Sequence, residues 1–450
     1  MTASIFKAYD VRGLVDIELT PDFAFATGAA FAQFLKEERE PGTVVIGEDM
    51  RPSSPTLADA FSAGVTSGGL DVIRIGLAST DMLYFAAGKL NLPGAMFTAS
   101  HNPAEYNGIK MCLSGARPIG KESGLQRIEK YKNDGVPLSL GQQGVESSRE
   151  MLDEYVDHLL SLVDLSKIRH LKVVVDAGNG MAGHTAPAVM KRLNVDVVEM
   201  YYELDGTFPN HEANPIDPEN LRDLQERVRA EKADIGLAFD GDADRCFLVN
   251  ENGELVNPSA LTGLIATREL AKNPGATIIY NLISSRAVKE VIEENGGVAS
   301  RSRVGHSYIK KQMADTGAVF GGEHSGHFYF ADFWRADSGM LAALHAISAL
   351  GQASTALSEL LAPFNRYVAS GEINSTVSDA PAIIAAVEKL YSSHAGVEID
   401  HLDGLTVSFD TWWFNLRASN TEPLLRLNVE GSSEAEMVEK RDELLAIIRG

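Results

Sequence analysis

"ADIGLAFDGDADRCFLV", residues 233–249, places three aspartates, Asp240, Asp242 and Asp244, at alternating positions between two apolar runs. The flanks "IGLAF" and "CFLV" read as buried strands, so the acidic hexapeptide reads as a strand-to-strand loop. Carboxylates this close repel one another unless a cation offsets the charge, and oxygen ligands of this kind suit a hard divalent ion. The run also imitates an EF-hand, because D-x-D-x-D starts at Asp240 and Glu251 falls at the twelfth position. Arg245 occupies the position where that loop needs glycine, and strands rather than helices flank it, which excludes a calcium module. A solvated acidic turn is the plain alternative, but its apolar flanks would bury it.

Working outward, strand-like and helix-like segments alternate. "TVVIG" (43–47) leads to "TLADAFSAGVTSGG", where a Ser-Pro start predicts a capped helix, and "HLKVVVDA" (170–177) leads to "GNGMAGHTAPAVMKRL" and "VDVVEM". "ATIIYNL" (276–282) precedes "SSRAVKEVIEENGG". Repeats of this kind imply α/β domains with largely parallel sheets. Polar stretches at 132–148, 250–258 and 361–372 are candidate boundaries. The last segment has one helix pattern, "APAIIAAVEKLYSS", among strand-like "GLTVSFD", "WWFNLRAS" and "PLLRLNVE", which predicts a small α+β tail domain.

The 450 residues allow about three or four domains at ~150 residues each. A net charge of −22 argues against nucleic acid or an anionic membrane as partner, though not against a small anionic substrate in a locally positive pocket. Two cysteines, Cys112 and Cys246, exclude a disulfide framework and a cysteine metal cluster. "MTASIFKAYDVRG" lacks a signal-type apolar region, and no stretch reaches the ~18 apolar residues of a membrane span. A cytoplasmic protein is expected.

Four further stretches carry chemistry. In "MFTASHNPAEYNGIK" (96–110) an apolar run enters Ser100, His101, Asn102 and Pro103; a strand running into a turn and a nucleophile held at a strand end both fit. "DAGNGMAG" matches G-x-G-x-x-G at Gly178, Gly180 and Gly183, with Glu199 near where a ribose-binding acid would fall, so an NAD(P)-dependent dehydrogenase is a rival from another class. "GGEHSGHFYF" (321–330) has Glu323, His324, Ser325 and His327 in the wrong order for a helical zinc motif, and Glu and Ser on a tight loop suit sugar hydroxyls. "LRASNTEP" (416–423) gathers Arg417, Ser419, Asn420 and Thr421 into either a phosphate cradle or an ordinary polar turn. Lys7, Tyr9 and Arg12 near the N-terminus and Arg303, His306 and Lys310 in "RVGHSYIK" would line an anion site or decorate the surface.

Taken in order, "TASHNP", "DGDADR", "GEHSGH" and "RASNTEP", with "YDVRG", "NGIK" and "GHSYIK", resemble the α-D-phosphohexomutase superfamily, in its bacterial phosphomannomutase/phosphoglucomutase branch. The resemblance spans nearly the whole chain. It implies three α/β mixed-sheet domains and a smaller C-terminal α+β domain around a central cleft. The expected divisions are 1–148 with the phosphoserine loop, 149–252 with the metal loop, 253–366 with the sugar loop and 367–450 with the phosphate loop.

By the same resemblance Ser100 carries a phosphoryl group, Asp240, Asp242 and Asp244 hold Mg2+ together with that group on Ser100, and a hexose 1,6-bisphosphate is intermediate and activator. Arg12, Arg245 and Lys110 would stabilise the negative transition state. Lys110 or His306 would be the general base, and His101 would orient the loop. Glu323 and Ser325 would bind the sugar's 3- and 4-hydroxyls with His327 nearby, Tyr9 would be a further substrate-binding residue, and Arg417, Ser419, Asn420 and Thr421 would hold the unreacting phosphate. The partner would be a hexose phosphate, and the assembly a monomer or weak homodimer. "GED" at 47–49 in place of Gly-Arg-Asp, and "YNLISSRAV" without a lysine, bear on sugar preference. "GEHSGHFYFADFWRADSGM" looks closest to phosphomannomutases; phosphoglucomutase or dual activity is the alternative, and His324 in place of glutamine puts phosphoglucosamine mutases further off.

Overall fold

The computed structural model describes residues 4–136, 142–418 and 424–450, and of these all side chains but those of His306 and Ser307. The chain forms two compact units: Met1–Pro258 with Met313–Asp315 and Ser325–Leu360, and Ser259–Gln312 with Thr316–His324 and Leu361–Gly450.

The described residues of the first unit include two large sheets. In one, strands lie in the order Val11–Leu14, Tyr106–Leu113, Gly94–Phe97, Thr43–Glu48, Asp71–Leu77 and Glu146–Ser148. The pairings on either side of Thr43–Glu48 are parallel, and Tyr106–Leu113 is antiparallel to both its neighbours. Val44, Ile46, Ala95 and Phe97 face helices Pro21–Glu37 and Ser54–Ser67, whose Phe31, Phe34, Leu57 and Phe61 complete a closed core. Thr20 caps the first helix by accepting from Phe23 N, with Pro21 in its first turn. The second helix departs from expectation: Ser53 makes no side-chain cap, because the hydroxyls of Ser53 and Ser54 accept from Asn107 Nδ2 at 2.8 and 2.9 Å.

The other sheet runs Cys246–Asn250, Ile235–Phe239, Leu171–Asp176, Val195–Met200. Its three later strands are parallel, and Cys246–Asn250 returns antiparallel with Phe239 opposite Cys246. Every residue of Ile235–Phe239 and Cys246–Asn250 is buried, as their apolar sequences require. The acidic hexapeptide is therefore a tight connection between two buried strands. The same unit contains the antiparallel pair Phe328–Phe330 and Ala336–Asp337, followed by the buried helix Gly339–Gln352.

In the second unit Val298–Ser302, Thr277–Asn281 and Phe320–Gly322 form a parallel ladder with helices Pro258–Lys272 and Arg286–Glu294. Its C-terminal part is an antiparallel sheet in the order Val368–Thr376, Leu424–Gly431, Trp412–Ala418, Leu405–Ser408, Glu398–Asp400. Two helices cover it, Ala380–Tyr391 and Glu434–Arg449, where the sequence pattern predicts one. In the second helix only Met437, Leu444 and Ile448 are buried among many charges, so its apolar stripe is too thin to read. Val368–Thr376 likewise begins inside the stretch read as a boundary. The fold is thus three α/β mixed-sheet domains and a C-terminal α+β domain. Among the described residues no single helix is long and apolar enough to cross a membrane.

Candidate active site

Strand Gly94–Phe97 ends three residues before Ser100, whose backbone takes the left-handed conformation (φ +52°), unusual for a residue with a side chain. The turn is held from several directions. Ser100 N donates to Thr98 Oγ1 at 2.9 Å. Arg51, whose side chain is fully buried, donates through Nη2 to the carbonyls of Ser100 (3.0 Å) and Asn102 (2.7 Å), and through Nη1 to those of Pro103 (2.9 Å) and Tyr106 (3.0 Å). Asp49 faces Arg51 Nε at 3.3 Å. One guanidinium thus satisfies four loop carbonyls, a use of its planar fork that lysine could not reproduce. The sequence alone does not single out Arg51, because nothing local marks an arginine that will be buried.

The serine turn meets the aspartate loop directly. A side chain at Gly241 would stand 2.3 Å from Ser100 O, so only glycine allows this approach. Ser100 Oγ donates to Asp240 Oδ2 at 2.7 Å and lies 3.3 Å from Arg245 Nη2. His101 Nδ1 accepts from Arg245 Nη2, and that guanidinium, followed by burial, holds the imidazole well below its usual range. His101 is therefore neutral and props Arg245. Arg12 donates to Asn102 Oδ1 (2.8 Å) and pairs with Asp10 (2.6 Å).

Lys110 Nζ donates to Asp242 Oδ2 at 2.7 Å and Asp244 Oδ2 at 2.6 Å. Burial works against its charge, but the two carboxylates overcome this and raise it well above the ordinary lysine value. Burial, Asp244 and Asp242 push Asp240 up to about 7, while Lys110 and His327 outweigh burial and hold Asp244 well below the carboxylate range. Ligand oxygens of the three aspartates lie within 4.8 Å of one another; Asp242 Oδ1 is buried with no hydrogen-bond donor among the described residues, and Asp244 Oδ1 is buried with His327 Nε2 at 3.5 Å and Arg245 Nε at 4.0 Å. A donorless carboxylate oxygen on Asp242 beside two further buried carboxylates fits a hard divalent cation.

His327 stands beside this loop, with Nε2 3.5 Å from Asp244 Oδ1 and Nδ1 2.9 Å from Ser325 Oγ. Burial lowers its pKa and Asp244 more than offsets that, giving a net rise. Tyr9 is half-buried just ahead of Val11–Leu14.

The remaining candidates belong to the second unit. Glu323 is buried and accepts from Gly305 N at 3.0 Å. Arg417, at the end of Trp412–Ala418, donates to Glu372 Oε2 at 2.8 Å. His306 opens helix His306–Thr316, its side chain undescribed, and Ser419, Asn420 and Thr421 lie outside the described residues.

The glycine triplet has a structural use. A Cβ on Gly180 would come within 2.7 Å of Gly241 O, and Met181 N donates to that same oxygen at 2.9 Å. The turn that looked like a dinucleotide fingerprint braces the aspartate loop instead, and Asp176 is engaged by Gly178 N (2.9 Å) and His211 Nε2 (3.0 Å).

Four family descriptions match in sequence: phosphoglucomutase/phosphomannomutase α/β/α domain I over residues 3–135, domain II over 153–253, domain III over 257–367, and the C-terminal domain over 372–447. The chain belongs to the phosphoglucomutase/phosphomannomutase family. It is thereby a member of the α-D-phosphohexomutase superfamily and an isomerase of the phosphohexomutase kind, and the dehydrogenase reading is overturned. Phosphohexose mutases of Xanthomonas campestris are 41% identical over 453 residues, covering 100% of both chains. A phosphomannomutase of Escherichia coli is 39% identical over 455 residues, with 99% of each covered. A crystal structure of a phosphoglucomutase/phosphomannomutase family protein from Burkholderia thailandensis superposes with a TM-score of 0.91 at 33% identity, covering 100% of this chain and 98% of that one.

Proposed function

We propose that this phosphohexomutase is a phosphomannomutase, which interconverts mannose 6-phosphate and mannose 1-phosphate through phosphorylated Ser100 and a hexose 1,6-bisphosphate. The observation that carries the reading is Ser100 itself: a strained, buried serine whose hydroxyl touches both an aspartate of the acidic loop and Arg245. Relatives of 39–41% identity over essentially the full length bear the names phosphomannomutase and phosphohexose mutase, which supports the sugar class.

In the first half-reaction the Ser100 Oγ–P bond breaks and a P–O bond forms to a sugar hydroxyl, whose proton passes to a base. The second half-reaction returns the other phosphoryl group of the bisphosphate to Ser100 Oγ and frees the isomerised monophosphate. Arg245 and Arg12 supply positive charge at the serine turn without needing a proton change. Lys110, held as a cation by two carboxylates, becomes a proton acceptor only if those carboxylates are drawn away; otherwise the base is His306. Asp240, Asp242 and Asp244, with an oxygen of the Ser100 phosphoryl group, would hold Mg2+, which when bound supplies charge neutralisation to the transferring group. Glu323 and Ser325 would bind sugar hydroxyls, His327 and Tyr9 would also serve the substrate, and Arg417 with Ser419, Asn420 and Thr421 would hold the unreacting phosphate.

The family's phosphoglucomutase/phosphomannomutase description, with relatives named phosphohexose mutases, supports a second reading, activity on glucose as well as mannose phosphates. Isomerisation rates for mannose 1-phosphate, glucose 1-phosphate and glucosamine 1-phosphate on one preparation separate these readings; a rate on mannose 1-phosphate no higher than on glucosamine 1-phosphate would overturn the assignment. Ser100→Ala should lower turnover by several orders of magnitude and remove one phosphate from the intact-protein mass.

A further inference from the structure

The start of helix Thr80–Leu90 reaches the aspartate loop from outside the four motifs. Thr80, fully buried, donates from its backbone N to Asp242 O at 3.0 Å and from Oγ1 to Asp242 Oδ2 at 2.6 Å. Asp242 Oδ2 also accepts from Lys110 at 2.7 Å, so two donors occupy one carboxylate oxygen while Oδ1 is buried without a donor among the described residues. The helix start is itself fixed. Ser79 Oγ caps it at Met82 N, 3.3 Å, and Asp81 Oδ2 accepts from Tyr155 (2.7 Å) and from Ser338 (2.6 Å), which caps helix Gly339–Gln352. Thr80 thus has no freedom to follow Asp242 if that carboxylate turns.

We propose that Thr80 is a positioning residue that makes Asp242 a one-oxygen ligand and so tunes the loop for Mg2+ over larger cations; this rests on the reading of the loop as a divalent-ion site. A carboxylate with Oδ2 pinned by two hydrogen bonds presents Oδ1 alone. Mg2+ takes six ligands at 2.0–2.1 Å in near-octahedral geometry, which single-oxygen carboxylates satisfy, whereas Ca2+ accepts six to eight ligands and two-oxygen carboxylates. Removing the Thr80 hydroxyl leaves Lys110 as the sole donor to Oδ2 among the described residues and lets the carboxylate swing toward the two-oxygen mode. Partners of this kind commonly change metal affinity 10–100-fold when removed.

The test is calorimetric titration of Mg2+ and of Ca2+, each alone, into the full-length protein and its variants. Thr80→Val should weaken Mg2+ binding by about 10-fold or more and Ca2+ binding much less, so the ratio of the two dissociation constants shifts by about 10-fold, and Thr80→Ser should restore the wild-type ratio. In assays, Thr80→Val should raise the Mg2+ concentration for half-activation more than it lowers turnover at saturating Mg2+. If Thr80→Val does not fold, as judged by melting in chelator, Thr80→Cys provides a weak donor in similar space for the same comparison. An unchanged Mg2+ to Ca2+ ratio in the valine or cysteine variant, or a serine variant that behaves like valine, overturns the role of Thr80. Wild-type protein that binds neither ion would instead overturn the metal reading of the loop.

Discussion

The aspartate loop at 240–245 and Arg417 both place charge at a strand end, and they are held in opposite ways. Around Asp240 and Ser100 the groups are buried and already in contact: Arg51 satisfies four carbonyls, Thr80 and Lys110 share Asp242, and Gly241 lets the two backbones touch. Arg417 is half-buried and its described partners are the carboxylates Glu372 and Asp403, at 2.8 and 3.9 Å. The difference suits the two tasks proposed for them. A group that must meet a developing charge gains from being fixed in advance in a dry setting. A group proposed to grip and release a phosphate can be held by partly exposed ion pairs that exchange more readily, because solvent weakens such pairs.

The largest effect that would break the comparison is at Arg51. Arg51→Met leaves buried Asp49 without its cation and four loop carbonyls without their donor, and should destabilise the protein by about 3–5 kcal/mol in urea melts while also depressing turnover. A loss under about 1 kcal/mol would mean that the serine turn holds itself.

At the other pole, Arg417→Ala should change stability by about 1 kcal/mol or less and raise the KM for hexose phosphate by roughly 10-fold, with a smaller change in kcat. Turnover collapsing at an unchanged KM would place Arg417 with the reacting groups and erase the contrast.

The smallest effect is a pH dependence. Asp240 is raised to about 7 by burial, Asp244 and Asp242, above an unfolded value of about 4. Its contribution to stability is therefore full below pH 4 and lost as pH rises through 7. Without Mg2+, melting should fall between pH 6 and 8 by more in the wild type than in Asp240→Asn, a difference on the order of 2–4 °C. Mg2+ binding at pH 6 should release a proton that the variant does not release, seen as a buffer-dependent binding enthalpy. Equal pH slopes in both proteins would show that Asp240 does not titrate as a raised carboxyl in this range.

What the sequence by itself determined was periodic or local. Apolar runs such as "IGLAF" and "CFLV" became buried strands, and the strand-helix alternation became α/β domains, because burial on both faces demands continuous apolar residues. The aspartate triplet was visible because like charges within five residues demand an explanation wherever they fold. Tertiary structure alone decided the rest. Helix Glu434–Arg449 buries too few residues to show a period, and the glycine triplet at 178–183 is ambiguous until the fold sets Gly180 against Gly241. Arg51 and Thr80 lie 49 and 162 residues from the groups they hold, Ser100 and Asp242. Neither has a local signature, because a hydrogen bond from a buried side chain to a distant loop depends on where two segments meet, and residue spacing carries no record of that meeting.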